Sequence, residues 1–514
     1  IDILSQVAQV DQRPGLSPEE LISVIGEYDG LMIRSGTQVT AEVIAAASRL
    51  KIVGRAGVGV DNVDVPAATQ RGVLVVNSPE GNTIAAAEHA LAMMLSISRH
   101  VPQAHAGMRV GKWDRKKYVG NELYKKTLGV VGLGKIGSHV AKVARAMGME
   151  VIAYDPFIAA DRAQQMQVRL TELAELFRTA DYVTLHIPRT KDTENLVNAE
   201  LLRTMKPSAR IVNCARGGVV DEAAIAEAID QGVIAGAGLD VFASEPLAED
   251  SPLRAVERGL VLTPHLGAST EEAQENVAID VAEQIRDVLL GLPARSAVNI
   301  PGLSAEIMER LKPHLQLAET VGGLLSQLAG GQVQELELRL QGEFASHPSQ
   351  PLLIASLKGL LGAVLGDSIN FVNASLEAKA RGIRVVEVKD EASRDFTGGS
   401  LQLISRGDQG SRSVTGAVFA DGELRITSID AFPVNVTPSS HMLFTRHRDM
   451  PGIIGKLGSL LGEHNVNIAS MQVGRKIVRG DAVMVLSIDD PVPAALLEEL
   501  TAIDGIQEAH PVTL

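Results

Sequence analysis

Short apolar runs punctuate the first part of the chain. Residues 31–34, 52–55 and 73–77 each read as a buried strand, and the stretches between them have helical spacing, which predicts a small parallel α/β unit. The apolar stretch 85–97 is interrupted by Glu88 and His89, so it reads as part of a buried helix over 83–100 that leads out of this unit. A polar, basic connection covers 113–127. From 128 to about 264, strands and helices alternate, with strands over 128–131, 151–154, 182–186, 210–213, 237–240 and 260–263. Such alternation predicts a doubly wound sheet. A helix over 270–290 is long enough, and apolar enough on one face, to return to the first unit, and Pro293 and Pro301 bracket a linker.

Beyond Pro301 the pattern changes. Leu336, Leu338, Leu340 and Phe344 mostly alternate with polar residues, as in a half-buried strand. Asp421-Gly422, between apolar runs over 414–419 and 423–429, is a hairpin signal. This region reads as α+β without a recognisable catalytic motif. The tail reads strand, helix, strand, strand, helix, strand over 442–446, 451–464, 466–473, 482–488, 493–500 and 507–512, which is a ferredoxin-like unit with Pro451 at its first helix's N1 position.

Composition narrows the setting. The 514 residues suffice for several domains, and with 45% hydrophobic but only 3% aromatic residues the cores must be aliphatic. A net charge of -14 argues against a nucleic-acid or anionic-membrane partner, so an acidic substrate needs a local cluster of cations. One cysteine excludes an intrachain disulfide and fits a reducing, cytoplasmic compartment. No apolar stretch approaches the ~20 residues of a membrane span. The chain begins without Met and without a signal-like pairing of basic and apolar residues, so its first residues are expected to be missing.

Three groups of residues carry chemistry. Gly132, Gly134 and Gly137 form a G-x-G-x-x-G turn between a strand and a helix that begins near Ile136. Glycines there let backbone approach a pyrophosphate, and the helix N-terminus attracts it. Asp155 ends the next strand, where a carboxylate accepts hydrogen bonds from a ribose diol and repels a 2′-phosphate, so the cofactor predicted is NAD rather than NADP. Arg216, Glu245 and His265 each follow a strand of the same predicted sheet, at the carboxyl edge where doubly wound folds keep their sites. An arginine grips a carboxylate, a histidine shuttles a proton near neutrality, and an acid can orient that histidine. Arg34 and Arg55 end two strands of the first unit, and Asn82 opens a helix, so all three suit a phosphate. Arg115, Lys116 and Lys117 make a basic patch, read either as functional or as a solvated linker. Cys214 reads as a residue fitting a tight strand end, and Lys379, Arg381 and Arg384 as a solvated face.

These motifs resemble the D-isomer-specific 2-hydroxyacid dehydrogenases, specifically the long-form D-3-phosphoglycerate dehydrogenases, over essentially the whole chain. The runs 54–64, 213–218 and 265–270 carry the resemblance. It implies a Rossmann-like doubly wound NAD domain over 81–269, a flavodoxin-like substrate domain over 1–80 completed by 270–300, an α+β intervening domain over 301–437, and a ferredoxin-like ACT domain over 438–514. It further implies that Arg216, Glu245 and His265 are catalytic. Lys135, Ile136, Asp155, Ile187, Cys214, Ala215, Arg216, Asp240, His265, Gly267 and Ala268 would join the glycines in contacting NAD. Arg34, Arg55 and Asn82 would hold the phosphate and carboxylate of 3-phosphoglycerate, with Arg115 reaching a neighbouring subunit of a homo-oligomer, dimer or tetramer. The tail runs 447–452 and 465–468 match effector loops, so His447, Asp449 and Asn467 would bind an amino acid, L-serine in this family. Two rival functions stay open on sequence grounds. One is another 2-hydroxyacid reductase, acting on glyoxylate or hydroxypyruvate; the other is a non-enzymatic NAD-sensing scaffold. No metal ligand set is expected.

Overall fold

The computed structural model describes residues 1–300, 305–391 and 399–514, so Pro301 of the expected linker lies outside the described residues. The chain splits into two compact units, one of residues 55–60 and 77–283 and one of residues 1–54, 61–76 and 284–514.

The first of these units is built on a seven-stranded sheet. Its strands are β4 (Thr127–Val131), β5 (Glu150–Tyr154), β6 (Arg169–Leu170), β7 (Tyr182–Leu185), β8 (Arg210–Asn213), β9 (Gly236–Leu239) and β10 (Leu260–Leu262), following the three short strands introduced below. Their order is β10-β9-β8-β7-β4-β5-β6 and every pairing is parallel. The order reverses beside β4, which creates the crevice where doubly wound folds bind ligands. β7, β8 and β9 are buried along their whole length, as expected for parallel strands covered on both faces. The two faces are sealed by separate aliphatic clusters: Leu176, Ile211 and Ile225 in one, Val130, Val140 and Met94 in the other. Met94 comes from the helix Thr83–Arg99, which ends where His100 turns left-handed at φ 54°. Between this helix and the connection expected over 113–127 the chain adds a further helix, Val101–Arg109, and within the connection it forms a short turn, Arg115–Tyr118.

In the other unit, β1 (Gly30–Ile33), β2 (Ile52–Arg55) and β3 (Leu74–Asn77) form a three-stranded sheet in that order, smaller than the five strands of a flavodoxin-type sheet. Its core includes Ile285, which with the half-buried Leu289 near the end of the helix Glu271–Leu289 flanks Gly30. Asn299 then fastens the chain to β3, accepting from Val75 N (2.9 Å) and donating to Val73 O (2.9 Å).

The later part of this unit holds two sheets. β11 (Val333–Gln341), β12 (Arg384–Asp390), β13 (Ser400–Gly407), β14 (Gly410–Val418), β15 (Leu424–Ile429) and β16 (Phe432–Val436) run in the order β12-β11-β13-β14-β15-β16. Leu336, Leu338 and Leu340 are buried on β11, but the strand is not half-buried as expected, because Glu335 and Glu337 beside them are buried as well and paired with Arg406. Gly422 turns the β14–β15 hairpin with φ 84°. β17 (His441–Arg448), β18 (Ile468–Arg475), β19 (Asp481–Ile488) and β20 (Ile506–Thr513) pair antiparallel in the order β18-β19-β17-β20, the ferredoxin-like arrangement. Pro451 is not at N1: the helix begins at Ile453, and Gly452 at φ 89° is its N-cap. A left-handed entry suits glycine and pushes proline one residue outside. Among the described helices none is long and apolar enough to cross a membrane.

Candidate active site

The site begins with the glycine turn after β4. A Cβ on Gly137 would collide with the carbonyl of Gly132, so the helix Lys135–Ala146 can pack this close to the turn only with glycine there. Gly134 is that helix's N-cap, carries no side-chain cap, and has open space where a Cβ would stand. The first helical N–H groups therefore have no side-chain cap facing that space, which is what an anion needs. Asp155, just past β5, accepts from Leu133 N (2.8 Å) through one oxygen and from Phe157 N (2.9 Å) through the other. Each oxygen keeps acceptor capacity for a ribose diol. Ile187 rests on Gly132. Lys135 is exposed and paired with Glu80, while Ile136 is half-buried beside it. These residues fit a dinucleotide with a free 2′-hydroxyl.

The three chemical side chains follow β8, β9 and β10. Asn213 closes the first loop: its Nδ2 donates to Arg216 O (3.0 Å) and its Oδ1 accepts from Ala215 N (3.0 Å). Arg216 donates from Nη1 to Ala215 O (2.7 Å). Next to it, a Cβ on Gly217 would overlap the Phe242 carbonyl, so this turn must be glycine. Glu245 accepts from Phe242 N at 3.1 Å and lies 2.7 Å from His265 Nδ1. That contact places the proton on Nδ1 and leaves Nε2 free to act as a base. His265 is half-exposed and holds φ 55°, its N–H shared between Asp240 O (2.9 Å) and Thr263 O (3.1 Å).

Asp240, expected as a cofactor contact, is wholly buried and pinned to the loop that carries His265. Oδ1 accepts from the Thr263 hydroxyl (2.6 Å) and Leu266 N (2.7 Å), and Oδ2 from Gly267 N (2.9 Å). Ala268 follows, half-buried. Burial pushes the Asp240 carboxyl up, but hydrogen bonds from His89, Thr263 and Leu266 outweigh it and hold the group below the usual carboxylate range. His89, Cys214 and Asp240 bring a nitrogen, a sulfur and an oxygen within 4.8 Å of one another. Their hydrogen bonds and charges account for them without a metal. The Asp240 oxygens are already engaged, and burial together with the Asp240 charge pushes the Cys214 thiol up, so it stays protonated. His186, half-buried beside the glycine turn and 3.0 Å from the Thr184 hydroxyl, is pushed down to about 4 by desolvation and stays neutral.

The expected phosphate residues differ in setting. Asn82 precedes the helix Thr83–Arg99 without capping it, and its Oδ1, the Thr83 Oγ1 and the Ser78 Oγ are buried with no partner among the described residues. Unpaired polar atoms grouped at a helix N-terminus suit an anionic ligand. The Arg55 guanidinium folds over Gly57 and donates to Ala56 O (3.3 Å). Arg34 follows β1 and is exposed, and Arg115 is exposed in its turn.

In the tail, the three expected effector residues differ in setting. His447 is buried within β17, which extends to Arg448 where a loop was expected, because its neighbours pair on both sides. Asp449 and Asn467 are reachable but engaged: Asp449 accepts from Arg475 Nη1 (2.9 Å) and Arg479 N (3.1 Å), and Asn467 donates to Asp489 (2.7 Å). Of the basic residues expected on a solvated face, Arg381 pairs with Glu377 and Arg384 with Glu335. Sequence reasoning missed Asn213 and Thr263. The one signal for them was position, each standing within three residues of a motif member at a strand end.

Three family models match the chain: the NAD binding domain of D-isomer specific 2-hydroxyacid dehydrogenases over residues 91–267, the D-3-phosphoglycerate dehydrogenase intervening domain over 310–430, and the ACT domain over 441–505. A D-3-phosphoglycerate dehydrogenase of a Synechocystis species is 62% identical over 515 residues, covering 100% of this chain and 92% of that one. One from Archaeoglobus fulgidus is 44% identical, covering 98% and 96%. A glyoxylate reductase structure from Paecilomyes thermophila superposes with a TM-score of 0.54 at 28% identity, covering 58% of this chain and 93% of that one. With a full-length relative at this identity and the NAD-binding, intervening and ACT models falling in order along it, the chain belongs to the D-3-phosphoglycerate dehydrogenases, within the D-isomer-specific 2-hydroxyacid dehydrogenase family.

Proposed function

We propose that this chain oxidises 3-phospho-D-glycerate to 3-phosphohydroxypyruvate with NAD, the entry reaction of L-serine synthesis. The observation that carries the chemistry is the 2.7 Å contact between Glu245 and His265 Nδ1. His265 Nε2 takes the proton of the C2 hydroxyl, and the Glu245 carboxylate stabilises the imidazolium that forms. Arg216 holds the substrate carboxylate and polarises the C2 oxygen. NAD supplies the hydride acceptor, held by the Gly132–Gly137 turn and Asp155. Arg34, Arg55 and Asn82 receive the phosphate.

The working form is a homo-oligomer. Val101, Met108, Val110, Trp113 and Val119 are exposed around Arg115, and so many apolar side chains on one stretch favour a partner surface. In such an assembly Arg115 serves a neighbouring subunit's cleft, and L-serine is the effector at Asp449 and Asn467. A single cysteine fits work in the cytoplasm. The test is a substrate panel: with NAD, 3-phosphoglycerate against D-glycerate and D-lactate; with NADH in the reducing direction, 3-phosphohydroxypyruvate against glyoxylate and hydroxypyruvate. The reading requires the highest kcat/KM for the phosphorylated pair. A higher value for glyoxylate would move the chain to the reductases.

A further inference from the structure

His89 stands on the apolar helix Thr83–Arg99 with its side chain 19% exposed. A histidine among alanines, leucines and methionines would ordinarily be costly to bury unless hydrogen-bonded. Its Nε2 is 3.1 Å from Asp240 Oδ1 and 3.2 Å from Thr263 Oγ1. Because the Thr263 hydroxyl donates to Asp240, both atoms act as acceptors toward Nε2, so the proton sits there. Thr263 opens the loop that carries His265, and Leu266 and Gly267, bound to the same carboxylate, close it. His265 itself is a non-glycine residue at φ 55°, a conformation that persists only where its surroundings over-determine it.

We infer that His89 is a positioning residue for the hydride-transfer reaction: its Nε2–H donor holds the buried Asp240 carboxylate, and through it the loop that presents His265 toward the substrate. The inference rests on the assignment of His265 as the base. Titratable groups facing Asp240 are His89 from its helix, Cys214 from the loop after β8 and His265 from its own loop, the last turned toward Glu245. Without the His89 donor, Asp240 keeps its desolvation and loses one compensating hydrogen bond. It then protonates at higher pH, releases the loop N–H groups, and the base drifts from its productive position.

The experiment compares His89→Gln, which keeps an N–H donor, with His89→Leu, which keeps bulk and removes it. Each is assayed for kcat and KM across pH, with thermal midpoints checking that both fold, and His265→Asn is run in parallel. His89→Leu should lose roughly ten- to a hundredfold in kcat with KM for the hydroxy acid little changed. Its acid limb should move up by about one pH unit. His89→Gln should restore kcat to within about threefold and the limb to its original place. If His89→Leu keeps both its kcat and its acid limb, or if Gln fails as badly as Leu, the positioning role is wrong. If His265→Asn remains active, the assignment of the base fails instead, whatever His89 does.

Discussion

His265 combines a left-handed backbone, a carboxylate on Nδ1 and a half-exposed ring, so its free nitrogen is both oriented and reachable. Replacing it with Asn preserves polarity and removes the titrating nitrogen. General acid–base help is worth ~10²–10⁴-fold, so kcat should fall by that order while NADH binding, read by fluorescence, persists. Turnover within threefold of the parent would place proton transfer elsewhere. Asp155 supports a second expectation. Like charges ~4 Å apart repel by about 1 kcal/mol in water and about 4 near a protein surface. kcat/KM should therefore favour NADH over NADPH by roughly tenfold or more, and equal values would remove Asp155 from cofactor choice. Arg216, Glu245 and His265 were legible in the sequence because each follows a strand by a few residues, and parallel strands of one sheet bring those positions to one edge. Asn213 and His89 were not singled out as functional. An Asn at a strand end and a His in an apolar helix have no spacing that distinguishes a clamp from an ordinary buried polar residue.

At the scale of elements, the loop after β8 is the most constrained piece of the site. Gly217 abuts the Phe242 carbonyl in the loop after β9, and Phe242 N in turn binds Glu245. A methyl group at 217 must push these two loops apart. Gly217→Ala should cost about 1–3 kcal/mol of stability, the usual penalty of overpacking, and should lower kcat/KM further than stability alone accounts for, because Arg216 and Glu245 move together. Thermal melting beside steady-state kinetics makes the comparison, and an alanine variant with the parent's melting point and activity would show that the loops yield freely. Six of the seven strands of the parallel sheet could be read from sequence because burial leaves uninterrupted apolar runs, whereas β6, a two-residue edge strand with an exposed arginine, has no such run and was not expected. The tail's helix start could not be placed to the residue. Pro451 satisfies the usual N1 preference, and only the backbone shows that Gly452 takes the left-handed turn instead.

At the scale of the molecule, the tail is not a detachable module, and this changes how its role must be tested. Met442, Phe444, Val483, Val485 and Val512 of the ferredoxin-like sheet belong to the same hydrophobic cluster as Leu336, Leu352 and Leu401. Gln327 and the Thr513 backbone exchange two hydrogen bonds (2.8 and 2.9 Å), and Arg412 pairs with Glu508. Sequence texture located the change near 438 but could not show that one face of the sheet completes a neighbouring core, since an apolar strand looks the same whichever core it fills. Truncation there would strip a shared core, so loss of a serine response in a truncated chain would prove nothing. Point variants are the informative route. The Asp449 carboxyl is held below the usual carboxylate range by the Arg479 N–H and the Arg475 guanidinium, so it is ionised and suited to an ammonium, while Asn467 can donate to a carboxylate. An amino acid bound between them would exchange with Arg475 at the first and with Asp489 at the second. Calorimetry on the full chain should show serine binding at millimolar concentration or below, coupled to activity by about 1–3 kcal/mol. Asn467→Ala should weaken it about tenfold while leaving turnover without serine unchanged. No heat of binding to the full chain would make the tail structural or the sensor of another effector, and a variant that binds as tightly as the parent would put the serine site somewhere other than Asn467.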